Sequence, residues 1–352
     1  MANKLYFKDK PIVGLDLSQT GIKMMSVNSK KWLVTGYGSV DLDPTKMQNS
    51  LEKDDDTYLQ SSLQGMLTKN FVGSMPSNHV VLSIPTNRTY TRTFKIPVSN
   101  ENHLKDAVEL EIDQYIPMPI ETLYVDYEID ERTKTDLTIS MSAAPRTLID
   151  RCITAAENAG LRVVMVEPSI SAVARVLQNT EEGHLPTVII DIGPASTDIA
   201  ILDHSIRITG SIGIGGNTFT LDIAKRLKVP LENAHQLKIL NGLNPGPRQQ
   251  KLKDALTPSL ERILTETRKI IRYYTERVEG SSKLEQVLIV GGGSNIPGIG
   301  EYFTDSLIMP ARVASPWQRF NFGSLPEPAK QFRSRYITAA GLASINPEGI
   351  WK

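Results

Sequence analysis

Two aspartates, Asp16 and Asp191, each stand at the end of an apolar run and open a short turn that leads into a second apolar run. The stretches are PIVGLDLSQTGIKMMSV (Pro11 to Val27) and VIIDIGPASTDIAIL (Val188 to Leu202), about 175 residues apart. A tight turn after a strand points several backbone N–H groups at one spot, which suits an anion. Hydroxyls at Ser18, Thr20, Ser196 and Thr197 add donors for phosphate oxygens. An aspartate at a strand end holds Mg2+ directly or through water, and the cation offsets phosphate charge. One such hairpin is more often a plain turn, whereas two facing each other would clamp a phosphate chain. Two glycine clusters add to the pair. Gly291, Gly292 and Gly293 follow the apolar run QVLIV, with Asn295 close behind, and let a nucleotide approach the backbone with no Cβ in the way. Gly215 and Gly216 precede a helix with Asn217 or Thr218 as its cap, and a helix N-terminus suits an anion or a ribose edge.

The bulk sequence excludes other chemistries. Lys plus Arg number 39 and so do Asp plus Glu, with no concentrated basic run, so a nucleic-acid partner is not expected. Cys152 is the sole cysteine and sits in the helix-like LIDRCITAAENAG, which points to a buried structural thiol. The five histidines lack metal-ligand spacing. The stretch MANKLYFKDKP has no apolar core of a signal peptide, no run approaches the roughly 20 residues that span a bilayer, and NPEGIWK is no amphipathic anchor. A cytoplasmic protein that meets membrane through partners is the expectation.

The elements that position these residues form two lobes, because 352 residues exceed one ordinary core. The repeated hairpin suggests duplicated halves. After the first come a strand at Trp32–Leu42, a helix near Thr57–Asn70 and a buried strand at His79–Pro85. After the second come the strand SIRITGSIGIGG, helices at Asn217–Leu227 and Leu231–Leu240, and a long helix at Ser259–Val278. That helix carries Leu260, Ile263, Leu264, Thr267, Ile271 and Tyr274 on one face. Between the halves lies a separate unit. It reads as a strand at Thr89–Pro97, a helix N-capped by Asn100, a hairpin around ERTKT and a helix stopped by Gly160. Asn179–Pro186 is the expected hinge and NGLNPGPRQQ a surface loop. The pattern predicts an α/β fold with mixed sheets.

The ordered set GLDLSQTGIK, VEPSISAVAR, DIGPASTDIAIL, GIGGNTFTLDIA, IVGGGSNIPGIGEYF and YITAAGLAS resembles the actin-like ATPase superfamily. Within it, AVELEIDQYIPMPIETLYVDYEI (Ala107–Ile129) and TRKIIRYYTE are similar to the family of type IV pilus assembly protein PilM. The resemblance implies an actin-like ATPase fold with subdomain IA at 1–85 and 165–185, an inserted IC at 86–164 as in the relative FtsA, IIA at 186–215 and 279–352, and IIB at 216–278. It implies ATP and Mg2+ between the lobes. The nucleotide would meet Asp16, Ser18, Gln19, Thr20, Lys23, Asp191, Gly193, Ser196, Thr197, Gly215, Gly216, Asn217, Lys238, Gly291, Gly292, Gly293 and Asn295, with Asp16 and Asp191 holding Mg2+, through water. It further implies a partner: the N-terminal cytoplasmic tail of a PilN-like inner-membrane protein, seated between IA and IC. Pilus motor ATPases and the platform protein are implied as further partners, with the chain peripheral at the inner face of the membrane. Tyr115, Pro117 and Pro119, beside Tyr124, either pack the IC corner or line that groove. Departures from the family pattern are the bulkier Gln19 in a first turn that lacks the usual glycine, and His235 where relatives carry an acidic partner for ribose. Glu167 stands where some filament-forming relatives place a water-orienting glutamate. A Glu-Pro pair here also caps the connecting helix, which is the favoured reading, so ATPase activity is expected to be weak at most. An FtsA-like filament protein and a sugar-kinase-type enzyme are the alternatives.

Overall fold

The first hairpin forms as expected. Strands β1 (Ile12–Ser18) and β2 (Gly21–Asn28) pair antiparallel around Gln19-Thr20, and β3 (Leu33–Asp41) extends the meander. The computed structural model describes residues 11–53, 57–181, 183–244, 246, 249–278, 280–346 and 350. Residues 1–10, parts of the NGLNPGPRQQ loop and most of NPEGIWK therefore lie outside the described residues. Helix α1 (Pro44–Glu52) starts on Asp43, whose carboxylate accepts from Thr45 N and Lys46 N. Helix α2 (Thr57–Lys69), β4 (Phe71–Gly73) and β5 (His79–Ile84) follow, with β5 parallel to β1. Then come β6 (Tyr90–Pro97), α3 (Leu104–Tyr115), β7 (Leu123–Arg132), β8 (Asp136–Pro145) and α4 (Arg146–Asn158). Strand β9 (Arg162–Pro168) returns beside β5 and leads into α5 (Ser169–Thr180).

The second lobe repeats the plan. β10 (Thr187–Ile192), β11 (Thr197–Asp203) and β12 (Ser205–Ile212) form the meander. Helices α6 (Gly216–Leu227), α7 (Leu231–Leu240) and α8 (Gln250–Arg277) lead to β13 (Gln286–Val290), which lies parallel to β10. The chain continues through α9 (Ile299–Leu307), β14 (Ala311–Val313), α10 (Lys330–Arg333) and α11 (Ile337–Ala343). The sheets run β4-β3-β2-β1-β5-β9 and β14-β13-β10-β11-β12-β6-β8-β7. Each contains a three-strand antiparallel meander whose first strand lies beside a parallel one, β3-β2-β1-β5 and β12-β11-β10-β13. The duplication read from the two hairpins is thus a duplication of sheet topology.

Helices α5 and α11 cross between the sheets. Val173, Leu177, Ala339 and Ala340 pack against Met25 of the first sheet and Ile189 and Leu288 of the second. Gly341 makes this crossing possible, since a Cβ there would sit 2.0 Å from Ala172 O. Under the inserted strands, Val108 and Ile112 of α3 pack on Ile139 and Met141. Helix α4 instead buries Leu148, Cys152, Ala155 and Ala156 beneath the first sheet. Burial pushes the Cys152 thiol up to about 12, in keeping with a structural role.

Two helix starts differ from the sequence reading. Asn100 lies in a 3-10 turn (Val98–His103) and does not cap α3, because the turn lets Val98 and Leu104 both reach the core beneath the inserted strands. Helix α8 begins at Gln250 and carries Pro258 inside it. The buried Leu252, Ala255 and Leu256 continue its apolar face upstream, so packing outweighs the hydrogen bond lost at the proline. Among the described residues no helix is long and apolar enough to cross a membrane.

Candidate functional site

The two hairpins line one cavity between the lobes. Asp16, Ser18, Gln19, Thr20 and Lys23 come from the first and Asp191, Gly193 and Ser196 from the second, with Gly291 and Gly292 from the end of β13. It runs into a second cavity of about 850 Å3 lined by Gly216, Asn217, His235, Lys238, Gly293 and Asn295. Thr20, Lys23, Gly193 and Gly292 face both, so the cleft is continuous. Its size falls in the range of small-molecule sites.

The hairpins differ electrostatically at matching positions. In the first, cross-strand register sets Asp16 opposite Lys23. Lys23 Nζ lies 3.3 Å from Asp16 Oδ2 and donates to Ser18 Oγ at 2.8 Å. Ser83 Oγ donates to Asp16 Oδ1 at 2.9 Å, and Ser18 Oγ donates to Gly21 O at 2.8 Å. In the second, the same register sets Asp191 opposite Asp198, like charges face to face. Desolvation, then Asp198 and Asp16, push Asp191 up to about 7. Burial raises Asp198 as well, against a hydrogen bond from Ser211. A hard cation beside these carboxylates would relieve both penalties. Among the described residues no three His, Cys, Asp or Glu side chains cluster to hold a metal unaided. Mg2+ fits here if it is shared with phosphate oxygens and water, its usual arrangement.

Several expected site residues have other duties. Thr197 is fully buried and its Oγ1 donates to Ile214 O at 2.7 Å, so it does not face the cleft. Side chains alternate along a strand, and its neighbour Asp198 takes the cleft side instead. The start of α6 offers no free anion site at its first N–H groups. Gly216 N donates to Gly193 O and Asn217 N to Pro194 O, each at 2.9 Å, so the second hairpin loop fills that place. Gly215 underpins the contact, since a Cβ there would sit 2.4 Å from Gly193 O. Asn295 spends its amide on Ser334 Oγ at 2.9 Å and Gln331 O at 3.0 Å. Lys238 is buried, donates to Gly216 O at 2.7 Å and Thr220 Oγ1 at 2.8 Å, and is brought down to about 8 by desolvation. Glu167 is held by Arg175 through both oxygens, Oε1 at 2.6 Å, and lines neither cavity, so its carboxylate is already engaged. The glycines of the triplet also divide. A Cβ on Gly291 would meet Asp191 Oδ1 at 2.2 Å and one on Gly293 would meet Ile192 Cγ2 at 2.2 Å, whereas Gly292 has open space. Sequence reasoning missed Arg335 and Phe332, which close the larger cavity from a segment with no motif of its own.

The family model of type IV pilus assembly protein PilM matches residues 14–345. The chain belongs to the PilM family. Among solved structures it is similar to the PilM-PilN type IV pilus biogenesis complex, with TM-score 0.77 and 20% identity, covering 95% of this chain and 98% of that one. It is also similar to MreB5 of Spiroplasma citri bound to ADP, with TM-score 0.55 and 15% identity, covering 95% of each chain. These likenesses show the actin-like α/β fold. Among curated proteins it is similar to the cell division protein FtsA of Borreliella burgdorferi, 27% identical over 227 residues, covering 59% of this chain and 53% of the relative. The FtsA of Neisseria meningitidis serogroup B is 28% identical over 216 residues, covering 55% of this chain and 50% of the relative. The chain thus spans about half the length of these curated relatives.

In this PilM-family chain Tyr115, Pro117 and Pro119 are all exposed, while Ile116, Met118 and Ile120 between them turn to the core under the inserted strands. The corner is therefore packed by its aliphatic residues, and the aromatic and prolines face out. Tyr124 instead leans on α4, donating to Asp150 Oδ1 at 2.9 Å beneath the Arg146 guanidinium.

Proposed function

We propose that this chain is an ATP-binding scaffold of the type IV pilus inner-membrane assembly complex, cytoplasmic and held at the membrane by a PilN-like protein. The N-terminal tail of that protein lies in a groove between subdomains IA and IC, with Tyr115, Pro117 and Pro119 as groove candidates. The observation that carries the nucleotide half of the proposal is the continuous cleft into which both Asp-bearing hairpins turn. ATP would place its phosphates between the hairpins, near Lys23 and Gly292, and its adenosine beside Lys238 and His235. Asp16 and Asp191 would hold Mg2+ through water. In this reading nucleotide acts by closing the lobes and shifting the population that accepts the peptide, and the engagement of Glu167 by Arg175 supports it. Family membership carries the pilus half. Motor ATPases and the platform protein are further partners in this proposal.

The test is titration of the purified chain with a synthetic N-terminal peptide of a PilN-like protein, with and without Mg-ATP. Peptide binding that tightens or weakens with Mg-ATP, and loses that response in Asp191→Ala, is the expected result. Absence of peptide binding in both states defeats the scaffold proposal. The FtsA similarity favours one second reading, a filament former. Sedimentation of the chain with Mg-ATP, in the absence of any peptide, would support that reading instead.

A further inference from the structure

A separate cleft of about 480 Å3 opens where the inserted unit meets the second lobe. Strand β6 and Tyr115 line one side, and β12 with the last turn of α8 line the other. Arg92, Lys95, Arg207 and Arg277 all face it, and none of its described lining residues is acidic. In a chain with 39 cations and 39 anions this is a marked local excess. No described carboxylate pairs with Arg92, Arg207 or Arg277. Arg207 Nε is buried with no hydrogen-bond partner among the described residues, a state that costs free energy until something accepts from it. Arg92 lies over the ring of Tyr115, which is 49% exposed, and Tyr273 from α8 is 43% exposed beside them.

The floor of the cleft is a seam between two strands that barely meet. β6 pairs along its whole length with β8, and β12 pairs with β11 except at Arg207, which a bulge leaves out of the register. Between β6 and β12 the register holds a single pair, Ile208 with Arg92. Beside it the Thr93 hydroxyl donates to Ile206 O at 3.1 Å, a side chain in place of a backbone partner. The cations come from three elements, β6, β12 and the end of α8, and the apolar Ile116, Met141 and Val278 line the same cleft.

We propose that this cleft docks an extended acidic segment of a partner protein. The segment's backbone pairs along the parted edges of β6 and β12, and its carboxylates meet Arg92, Arg207 and Arg277. The cleft is separate from the nucleotide site; Tyr115, named above as a candidate for the IA–IC groove, lines it as well, so the variants below alter Arg92 and Arg277 and leave Tyr115 in place. The test uses a fluorescein-labelled octapeptide of alternating Glu and Val, with the Lys and Val counterpart as control, and the full chain in an anisotropy titration. The expected result is binding of the acidic peptide alone, weakened by salt, and reduced at least about tenfold, or about 1.4 kcal/mol, by Arg92→Glu with Arg277→Glu. Mg-ATP affinity and the thermal midpoint should be unchanged in that variant. Should the double variant fail to fold, Arg277→Glu alone, at an exposed position, serves with an expected loss of several-fold. The proposal is overturned if the acidic peptide does not bind at about millimolar concentration, or if folded reversal variants bind it as the parent does. Displacement of the peptide by equimolar inorganic pyrophosphate would also overturn it, in favour of a small-anion site.

Discussion

Replacing Gly291, Gly292 and Gly293 one at a time by alanine separates packing from ligand approach at three adjacent positions. Gly291 has φ 79° and ψ 177°, backbone that side chains other than hydrogen avoid at a cost of about 1–3 kcal/mol. Its Cβ would also sit 2.2 Å from Asp191 Oδ1 and 2.6 Å from Ile192 O, which forces β10 and β13 apart. Overpacking of this kind adds about 1–3 kcal/mol, so Gly291→Ala should lose roughly 2–6 kcal/mol. Gly293→Ala meets Ile192 Cγ2 at 2.2 Å, with backbone outside the left-handed region, and should lose about 1–3 kcal/mol. Gly292→Ala meets nothing within 4 Å, so its stability should stay within about 0.5 kcal/mol of the parent. That methyl projects into space shared by the two cavities, and Mg-ATP affinity should fall about tenfold. Urea unfolding gives the stabilities, and titration with a fluorescent ATP analogue gives the affinities. If Gly292→Ala binds like the parent, or unfolds as easily as Gly291→Ala, these glycines do not divide packing from ligand approach.

Asp191→Asn should be more stable than the parent above pH 7 in the absence of Mg2+. The folded carboxyl sits near 7 against 3.8 as a free group, so its charge opposes folding above that value and the penalty fades as pH falls from about 7 toward 4. At about 1.4 kcal/mol per unit the gain is about 4 kcal/mol at most, read as a gap between the melting curves that is full at pH 8 and falls to less than about half by pH 5. Glu167→Gln leaves Arg175 facing a neutral amide. It should cost about 2–3 kcal/mol in urea unfolding, below the fully buried range because 24% of the Arg175 side chain is exposed. Any slow ATP hydrolysis by the folded variant should be unaltered, and a hydrolysis defect would return Glu167 to the site. The Cys152 thiol should react with a thiol reagent at the rate of global unfolding, and prompt reaction in the native state would contradict its burial in the first-lobe core.

Short-range pattern determined much of this molecule. An apolar run, an aspartate, a small turn and a second apolar run can satisfy their backbone groups as a hairpin, and both hairpins are where the sequence puts them. The inward positions of α8 follow from 3.6-residue spacing, and Gly160 ends α4 with φ 86° because a left-handed residue is needed there. Strand parity also separates Asp198 from Thr197: both carry oxygens, but alternation puts only Asp198 on the cleft face. Other assignments waited on contacts between distant segments. Whether a helix N–H, an asparagine amide or a glutamate is free for a ligand depends on what else has claimed it. Gly193 and Pro194 claim the start of α6, Gln331 and Ser334 claim Asn295, and Arg175 claims Glu167. Arg335 and Phe332 reach the cleft because the chain returns there after both sheets are built. Spacing along a chain sets which side a residue faces, but the acceptors left unclaimed are settled only when remote segments pack together.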